Sequence, residues 1–111
     1  MKIYATGNVL KIVRHYESFE PVAYKKSDEI WTLGYGFTDG VTEGMTMTLH
    51  ESEIILVELI NKFGNQVISS LNTAVEQYQL DALISFVYNI GIGAFKKSTC
   101  RSYINQQGSL E

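Results

Sequence analysis

The segment from residue 17 to residue 36 contains side chains suited to acid–base chemistry. Its charged residues are Glu17, Glu20, Lys25, Lys26, Asp28 and Glu29. Glu17 lies in the last turn of a predicted helix, where the negative end of the helix dipole disfavours an ionised carboxylate. A carboxyl held in the protonated form suits a general acid, and a glycosidase pairs such an acid with a second polar group across the sugar. A solvated helix end is the alternative interpretation of the same pattern.

The elements around Glu17 are a short helix and a β-hairpin. Asn8 is a predicted N-cap for a helix over residues 9–17, and Pro21 forces the preceding residue toward an extended backbone. Aromatic and β-branched residues then surround a polar turn at residues 27–29, which predicts two strands. The second strand contains Thr32, so the hairpin supplies a wall opposite Glu17.

A long helix follows the hairpin. Thr48 and Glu51 form a predicted capping box, and the apolar residues after it leave little polar face. This pattern predicts a helix that runs through the core, with Gly64 either ending it or bending it.

Two further helices are predicted toward the C-terminus. A capping box from Thr73 to Glu76 opens the first, which ends at Gly91. Its polar positions recur every fourth residue, at Gln77, Asp81, Ser85 and Asn89. This stripe fits either a solvated edge or one wall of a polar groove. Ser98 is the predicted cap of the last helix, which ends before Gly108 and turns Cys100, Tyr103 and Ile104 inward.

Together these elements predict an α+β, mainly α, fold in a single domain over residues 1–111. Residues 9–45 form a small N-terminal lobe with the hairpin, and residues 46–111 form a helical lobe around a central buried helix. Clefts are favoured at lobe junctions, and the segment from residue 17 to residue 36 lies on this junction.

Composition excludes several classes of protein. A net charge of -3 and a pI near 5.3 argue against a nucleic-acid partner, which requires a basic face. One cysteine with His15 and His50 does not give metal-binding spacing, so we expect no metal and no cofactor. No run of 18 apolar residues and no signal-peptide core are present, so we expect cytoplasmic synthesis without membrane insertion.

Three motifs resemble a known family. "E-x-F-x-P-x-A-Y", "W-T-L-G-Y-G" and "Q-L-D-A-L-I-S-F-V-Y-N-I-G-I-G-A-F-K-K-S-T" are similar to the phage lysozymes, the endolysins of glycoside hydrolase family 24, over about residues 9–107. The resemblance implies a lysozyme-like fold. It also implies a muramidase that cleaves the β-1,4 bond between N-acetylmuramic acid and N-acetylglucosamine in peptidoglycan.

The resemblance assigns catalytic positions. In the family a catalytic Glu is followed nine residues later by an Asp, and six residues after that by a Thr. Glu17 matches the Glu and Thr32 matches the Thr, but Lys26 occupies the position of the Asp. A lysine at the Asp position favours an ionised Glu17 and cannot act as a base. Asp28, two residues on, is the predicted substitute because alternation puts it on the same side of the strand. Alternatively, Asp28 is only part of the turn between the two strands.

The resemblance also assigns substrate contacts and shows departures. Thr38, Tyr88, Asn89 and Ser98 match positions that line the glycan groove, although core packing is an equal alternative for Tyr88. Ser18 replaces the glycine that follows the family's catalytic Glu, and Phe37 replaces a His. Family members commonly continue with further helices, so an exposed patch on the helical lobe would favour self-association or a completing partner.

Two functions follow from these observations. The first is a phage or prophage lysis enzyme, made without a signal peptide and reaching the cell wall through a holin lesion. The second is a degenerate lysozyme fold that binds peptidoglycan or a protein partner without cutting, which Lys26 and Phe37 favour.

Overall fold

The fold is a two-stranded antiparallel sheet followed by four helices, with one helix before it. The computed structural model describes residues 4–26 and 29–109, with side chains as far as residue 106. The elements are α1 (Gly7–Glu17), β1 (Glu20–Lys25), β2 (Trp31–Gly34), α2 (Leu49–Ser70), α3 (Gln77–Ile90), α4 (Ile92–Lys96) and α5 (Thr99–Ser109). The α+β, mainly α, prediction is confirmed.

Helix α1 begins two residues earlier than predicted. Thr6, and not Asn8, is the N-cap, and its hydroxyl accepts a hydrogen bond from the Val9 amide at 3.3 Å. The same hydroxyl donates to Asp81 on α3 at 3.1 Å. Thr6 therefore caps one helix and links it to another, a long-range contact that local capping preferences do not include.

The hairpin pairs Tyr24 with Thr32 and Lys25 with Trp31, and its register is irregular between Glu20 and Tyr24. Pro21 lies in this irregular stretch, as expected for a residue that has no amide hydrogen to donate. The chain returns beside β1, where the Met47 amide donates to the Pro21 carbonyl at 2.9 Å. This return anchors the loop between β2 and α2 against the hairpin.

Helix α2 is buried along one face. The Thr48–Glu51 capping box is confirmed. The Thr48 amide donates to Glu51 Oε1 at 3.0 Å, and the Glu51 amide donates to Thr48 Oγ1 at 3.1 Å. Its buried residues are Ser52, Leu56, Ile60, Gly64, Val67 and Ser70, whereas Ile54 on the opposite side is 49% exposed. None of the helices in the described part of the chain is both long and apolar enough to cross a bilayer.

Helix α2 continues beyond Gly64, and residues after Gly64 are also buried. A side chain at this position would overlap the ring of Tyr4, with a Cβ only 2.6 Å from Tyr4 Cδ2. Glycine therefore permits the close approach of the N-terminal segment to α2. Asn61, one turn earlier, accepts from the amides of Tyr4 and Ala5 at 2.7 and 2.8 Å.

Helix α3 starts later than predicted. Glu76 is its N-cap, in a capping box with Gln79, so the predicted box from Thr73 to Glu76 is wrong. Gly91 ends the helix as predicted, and its φ of +87° is readily available only to glycine. The core lies between α3 and its neighbours, and its fully buried apolar members are Val9, Leu56, Ile60, Val67, Ile84, Val87 and Phe95.

The last two helices combine a confirmed prediction with wrong ones. Ser98 caps α5, since its hydroxyl accepts from the Arg101 amide at 3.1 Å. Cys100 and Tyr103 were predicted to point inward and are exposed, whereas Ile104 packs on the core. The helix also continues past Gly108, and the short α4 before it was not predicted.

A polar cluster ties α1, α2 and the turn after β2 together. The Arg14 guanidinium donates to both oxygens of Glu53, at 3.0 Å from Nε to Oε1 and 2.6 Å from Nη2 to Oε2. The Tyr35 hydroxyl donates to Glu53 Oε1 at 3.0 Å. The bond from Arg14 is the main reason that the pKa of Glu53 is lowered, and burial and Glu53 together raise the pKa of Tyr35.

Ser18 provides a test of backbone strain at the end of α1. It has φ 51° and ψ 145°, close to a region that is nearly exclusive to glycine. We expect Ser18→Gly to raise the free energy of unfolding by about 1 kcal/mol, and the melting temperature by a few degrees, because the strain is removed. Ser18→Ala, the matched control, retains Cβ and should give no such gain. A Ser18→Gly protein no more stable than wild type would contradict the assignment.

The Glu53 cluster predicts a pH-dependent stability. Because its pKa is lowered in the folded state, Glu53 contributes its full stabilisation above the ordinary carboxyl pKa and loses it as pH falls through the folded value. Glu53→Gln should cost about 1 kcal/mol at pH 7, as the pair is partly exposed, and progressively less below about pH 4. Urea unfolding at several pH values measures this. Glu58→Gln, on the exposed side of α2, should show no comparable dependence.

Candidate active site

Glu17 lies in a cavity between the end of α1 and the second half of α3. The cavity has a volume of about 240 Å³. It is lined by Val13, Tyr16, Glu17, Ser85, Tyr88 and Asn89. Glu17 is the one charged residue among these lining residues. Helix α1 ends at Glu17, so its side chain projects from the negative end of the helix dipole.

Gly36 supports the Glu17 carboxyl from the side of the hairpin. A Cβ built on Gly36 would fall on Glu17 Oε2 and 3.0 Å from Glu17 Cδ. The φ of Gly36 is +80°, so both the space and the backbone conformation call for glycine. The carboxyl is therefore confined between the end of α1 and the turn that follows β2.

Tyr88 lines both this cavity and a second one. Its hydroxyl donates to the Tyr35 carbonyl at 2.6 Å, and its ring packs edge-on against Phe63 at 5.8 Å between centroids. Burial, and secondarily the negative charge of Glu17, raise the pKa of Tyr88. Tyr88 thus packs on the core and also lines the cavities, so features of both sequence interpretations are present in one side chain.

The second cavity, which Tyr88 also lines, lies against α2. Its volume is about 460 Å³. Thr38 lines it together with Phe37, Asp39, Lys62 and Phe63. Tyr88 therefore contributes to the lining of both cavities. The second lining combines aromatic and apolar side chains with a few polar groups, which is typical of small-molecule sites.

The polar stripe of α3 has two different environments. Ser85 and Asn89 line the Glu17 cavity, which agrees with the groove interpretation. Asp81 is only 3% exposed and accepts from Thr6 and from Gln77, the latter at 2.8 Å. The N-terminal half of the stripe is therefore a structural link to α1, and only the C-terminal half borders the cavity.

Thr32 lies inside the hairpin. Its side chain is fully buried, and its hydroxyl donates to the Ile30 carbonyl at 3.2 Å. It is absent from the described lining of both cavities. The structure therefore does not place Thr32 in the lining of the Glu17 cavity.

Three other predicted site residues lie apart from Glu17 or outside the description. Lys26 is exposed at the end of β1, where its carbonyl accepts from the Glu29 amide at 2.8 Å. Asp28 lies outside the described residues. The Ser98 hydroxyl donates to the Phe95 carbonyl at 2.6 Å and caps α5, so its position is explained by local structure.

Residues that the sequence interpretation did not assign to the site include Tyr16 and Gly36, whereas Ser85 was predicted only as a member of the polar stripe of α3. Gly36 lies within the quoted "W-T-L-G-Y-G" motif, which was a signal for a close backbone approach. Tyr16 follows the apolar period of α1 and gave no such signal. Within residues 4–26 and 29–109, no three His, Cys, Asp or Glu side chains are grouped so as to hold a metal ion.

Comparison with known proteins identifies relatives. A sequence model of the phage lysozyme family matches residues 14–111. The endolysin of Salmonella phage P22 is 38% identical over 105 residues, 90% of this chain and 72% of that protein. The endolysin of Bacillus phage PZA is 32% identical over 100 residues, 87% of this chain and 39% of that protein. The chain thus spans about two fifths of the Bacillus phage endolysins it matches.

Similar folds support the same assignment. The muramidase domain of SpmX from Asticaccaulis excentricus superposes with a TM-score of 0.83 at 29% identity, covering 96% of this chain and 71% of that one. An endolysin from Escherichia coli O157:H7 phage FAHEc1 superposes with a TM-score of 0.81 at 32% identity, covering 99% and 71% of the two chains. The family match over residues 14–111, together with these relatives, confirms the resemblance in the motifs: the chain belongs to the phage lysozyme family.

Proposed function

We propose that this chain contains the active site of a peptidoglycan hydrolase, a muramidase that cleaves the β-1,4 bond between N-acetylmuramic acid and N-acetylglucosamine. The observation that supports it is the position of Glu17, a carboxyl at a helix end in a cavity lined by tyrosines and by the polar side chains of Ser85 and Asn89. Membership of the phage lysozyme family and relatives named as endolysins support the same reaction.

In this proposal Glu17 is the general acid. Its proton passes to the glycosidic oxygen while the bond from that oxygen to the anomeric carbon breaks. A water molecule supplies the oxygen that bonds to the anomeric carbon, and its proton passes to a base or to solvent. Gly36 and Tyr88 confine the carboxyl from two sides, so a sugar would meet it in a restricted orientation.

The remaining site residues stay predictions. Thr38, Tyr88 and Asn89 border the cavities and are proposed as glycan contacts, with Tyr88 offering its ring because its hydroxyl is bonded to Tyr35. Asp28 is proposed as the second carboxylate. Thr32 and Ser98 retain their assignments from the family resemblance, although both hydroxyls donate to backbone carbonyls.

The cell wall is the proposed place of action. Cytoplasmic synthesis followed by passage through a holin lesion remains part of the proposal. Self-association or a completing partner also remains a proposal, supported by Tyr78 on α3 and Tyr103 on α5, which are 71% and 62% exposed.

Glu17→Gln tests the proposed function. The amide has nearly the same shape but cannot donate the acid proton, so clearing of chloroform-treated Gram-negative cells should fall by about 10²- to 10⁴-fold. The assay follows turbidity over a range of pH. Glu58→Gln removes a carboxylate of the same type from the exposed side of α2 and should clear like wild type. Wild type that clears at no pH, or Glu17→Gln that clears equally well, would contradict the proposal.

A second candidate function is a lysozyme fold that binds peptidoglycan without cutting it. Two observations favour it: Lys26 occupies the position of the family's carboxylate, and the Thr32 hydroxyl is buried. Pull-down with insoluble peptidoglycan measures this binding separately from turnover.

Lys26→Asp separates the two candidates. Restoring a carboxylate at this position should raise the clearing rate by about 10- to 100-fold, because a base or nucleophile is supplied. Lys26→Gln removes the positive charge without adding a carboxylate and should give a smaller gain. Clearing by Lys26→Asp alone, with none by wild type, would favour the binding protein. Equal rates in all three proteins would show that residue 26 has no part in the reaction.

A further inference from the structure

Arg14 and Glu17 lie three residues apart near the end of α1. Residues at this spacing are neighbours on a helix surface, with about 5–6 Å between Cβ atoms. A guanidinium is always charged at ordinary pH, and its long side chain can reach a neighbouring carboxylate. An ion pair between these two residues would favour the ionised form of Glu17, which cannot donate a proton.

The structure shows Arg14 bonded elsewhere. Its guanidinium forms a two-point contact with Glu53 on α2, with Nε–Oε1 at 3.0 Å and Nη2–Oε2 at 2.6 Å. The Tyr35 hydroxyl fixes the same carboxylate at 3.0 Å. No hydrogen bond or ion pair joins Arg14 to Glu17 within the described part of the chain, and Arg14 does not line the cavity.

Tyr35 also connects this cluster to the support of the Glu17 carboxyl. Its carbonyl accepts from Tyr88 at 2.6 Å, and its neighbour Gly36 contacts the Glu17 carboxyl. The Glu53 carboxylate therefore holds both the last turn of α1 and the turn after β2. These are two of the walls that confine Glu17.

We infer that Glu53 is a positioning residue: by binding Arg14 and Tyr35 together, it keeps the guanidinium away from Glu17, so that Arg14 does not form an ion pair with the Glu17 carboxyl. The charge of Arg14 is balanced on α2 and not at the cavity. This role is distinct from catalysis, since Glu53 is absent from the lining of the Glu17 cavity. Only its consequence for turnover rests on the proposed function.

The elements around the cavity carry other charged or titratable side chains. They include Lys11, His15 and Tyr16 on α1, Glu20 on β1, Tyr35 after β2, and Asp81 and Tyr88 on α3. The His15 ring packs edge-on against the Tyr16 ring, with 5.2 Å between the ring centroids. Variants restricted to Arg14 and Glu53 leave every member of this set unchanged.

The experiment compares wild type, Glu53→Gln and the double variant Arg14→Gln with Glu53→Gln. The measurement follows the ¹³C NMR chemical shift of the Glu17 side-chain carboxyl as a function of pH. The signal is assigned to Glu17 because it disappears in Glu17→Gln. Freed Arg14 should lower the Glu17 midpoint by about half to one pH unit in Glu53→Gln, because a neighbouring cation favours the carboxylate. The double variant lacks that cation, so its midpoint should return to within about 0.3 unit of wild type.

The double variant distinguishes positioning from a purely structural role. If Glu53 only stabilised the fold, removing Arg14 as well would not restore the midpoint. Thr6→Val is the matched control: it removes the N-cap of α1, with an expected loss of stability, and should leave the Glu17 midpoint unchanged. An unchanged midpoint in Glu53→Gln, or equal shifts in the single and double variants, would overturn the inference.

Turnover and a second variant complete the test. If wild type clears cells, the alkaline limb of the Glu53→Gln pH profile should move to lower pH, with about a three- to tenfold lower rate near neutrality, and recover in the double variant. If wild type does not clear them, the proposed function fails while the NMR result still decides this inference.

If Glu53→Gln does not fold, Glu53→Asp replaces it. This substitution shortens the side chain but keeps the carboxylate, so the Glu17 midpoint should shift less and in the same direction. The absence of any shift would overturn the inference.

Discussion

One shared carboxylate joins the segments beside the site. Glu53 accepts from Arg14 on α1 and from Tyr35 after β2, so a single side chain on α2 joins two of the segments around Glu17. A bidentate guanidinium contact fixes direction as well as distance. The hydrogen bond of Tyr88 to the Tyr35 carbonyl adds α3 to the same assembly. The polar contacts thus set the geometry that the apolar core alone would leave adjustable.

Glycines provide close approach where this assembly is tightest. Gly36 lets the Glu17 carboxyl rest against the backbone, and Gly64 lets Tyr4 pack directly on α2. Ser18 has a positive φ of 51°, as Gly36 has one of 80°, but Ser18 carries a side chain. A side chain at such a conformation stores strain at the end of the helix that bears Glu17. The strain and the site are therefore next to each other in the chain.

The hairpin is the part of the structure in which family expectation and geometry differ most. The family resemblance predicts Thr32 opposite Glu17, whereas the Thr32 side chain is buried and its hydroxyl donates to the Ile30 carbonyl. Alternation along a strand determines which residues share a face of the hairpin. Which face packs inward depends on the return segment at Met45–Met47, whose bonds to β1 join residues far apart in sequence.

The sequence by itself determined the fold class, the hairpin, the capping box of α2, the stop at Gly91 and the family, because each rests on local periodicity, backbone preference or contiguous motifs. It placed Glu17 at a helix end for the same reason. Only the tertiary structure decided that Asp81 is a link to Thr6, that Tyr88 lines two cavities, and that Arg14 is held by Glu53. These outcomes depend on which faces of the helices meet. The contacts of Arg14 with Glu53 and of Thr6 with Asp81 join residues 39 and 75 positions apart, so no local sequence pattern predicts them.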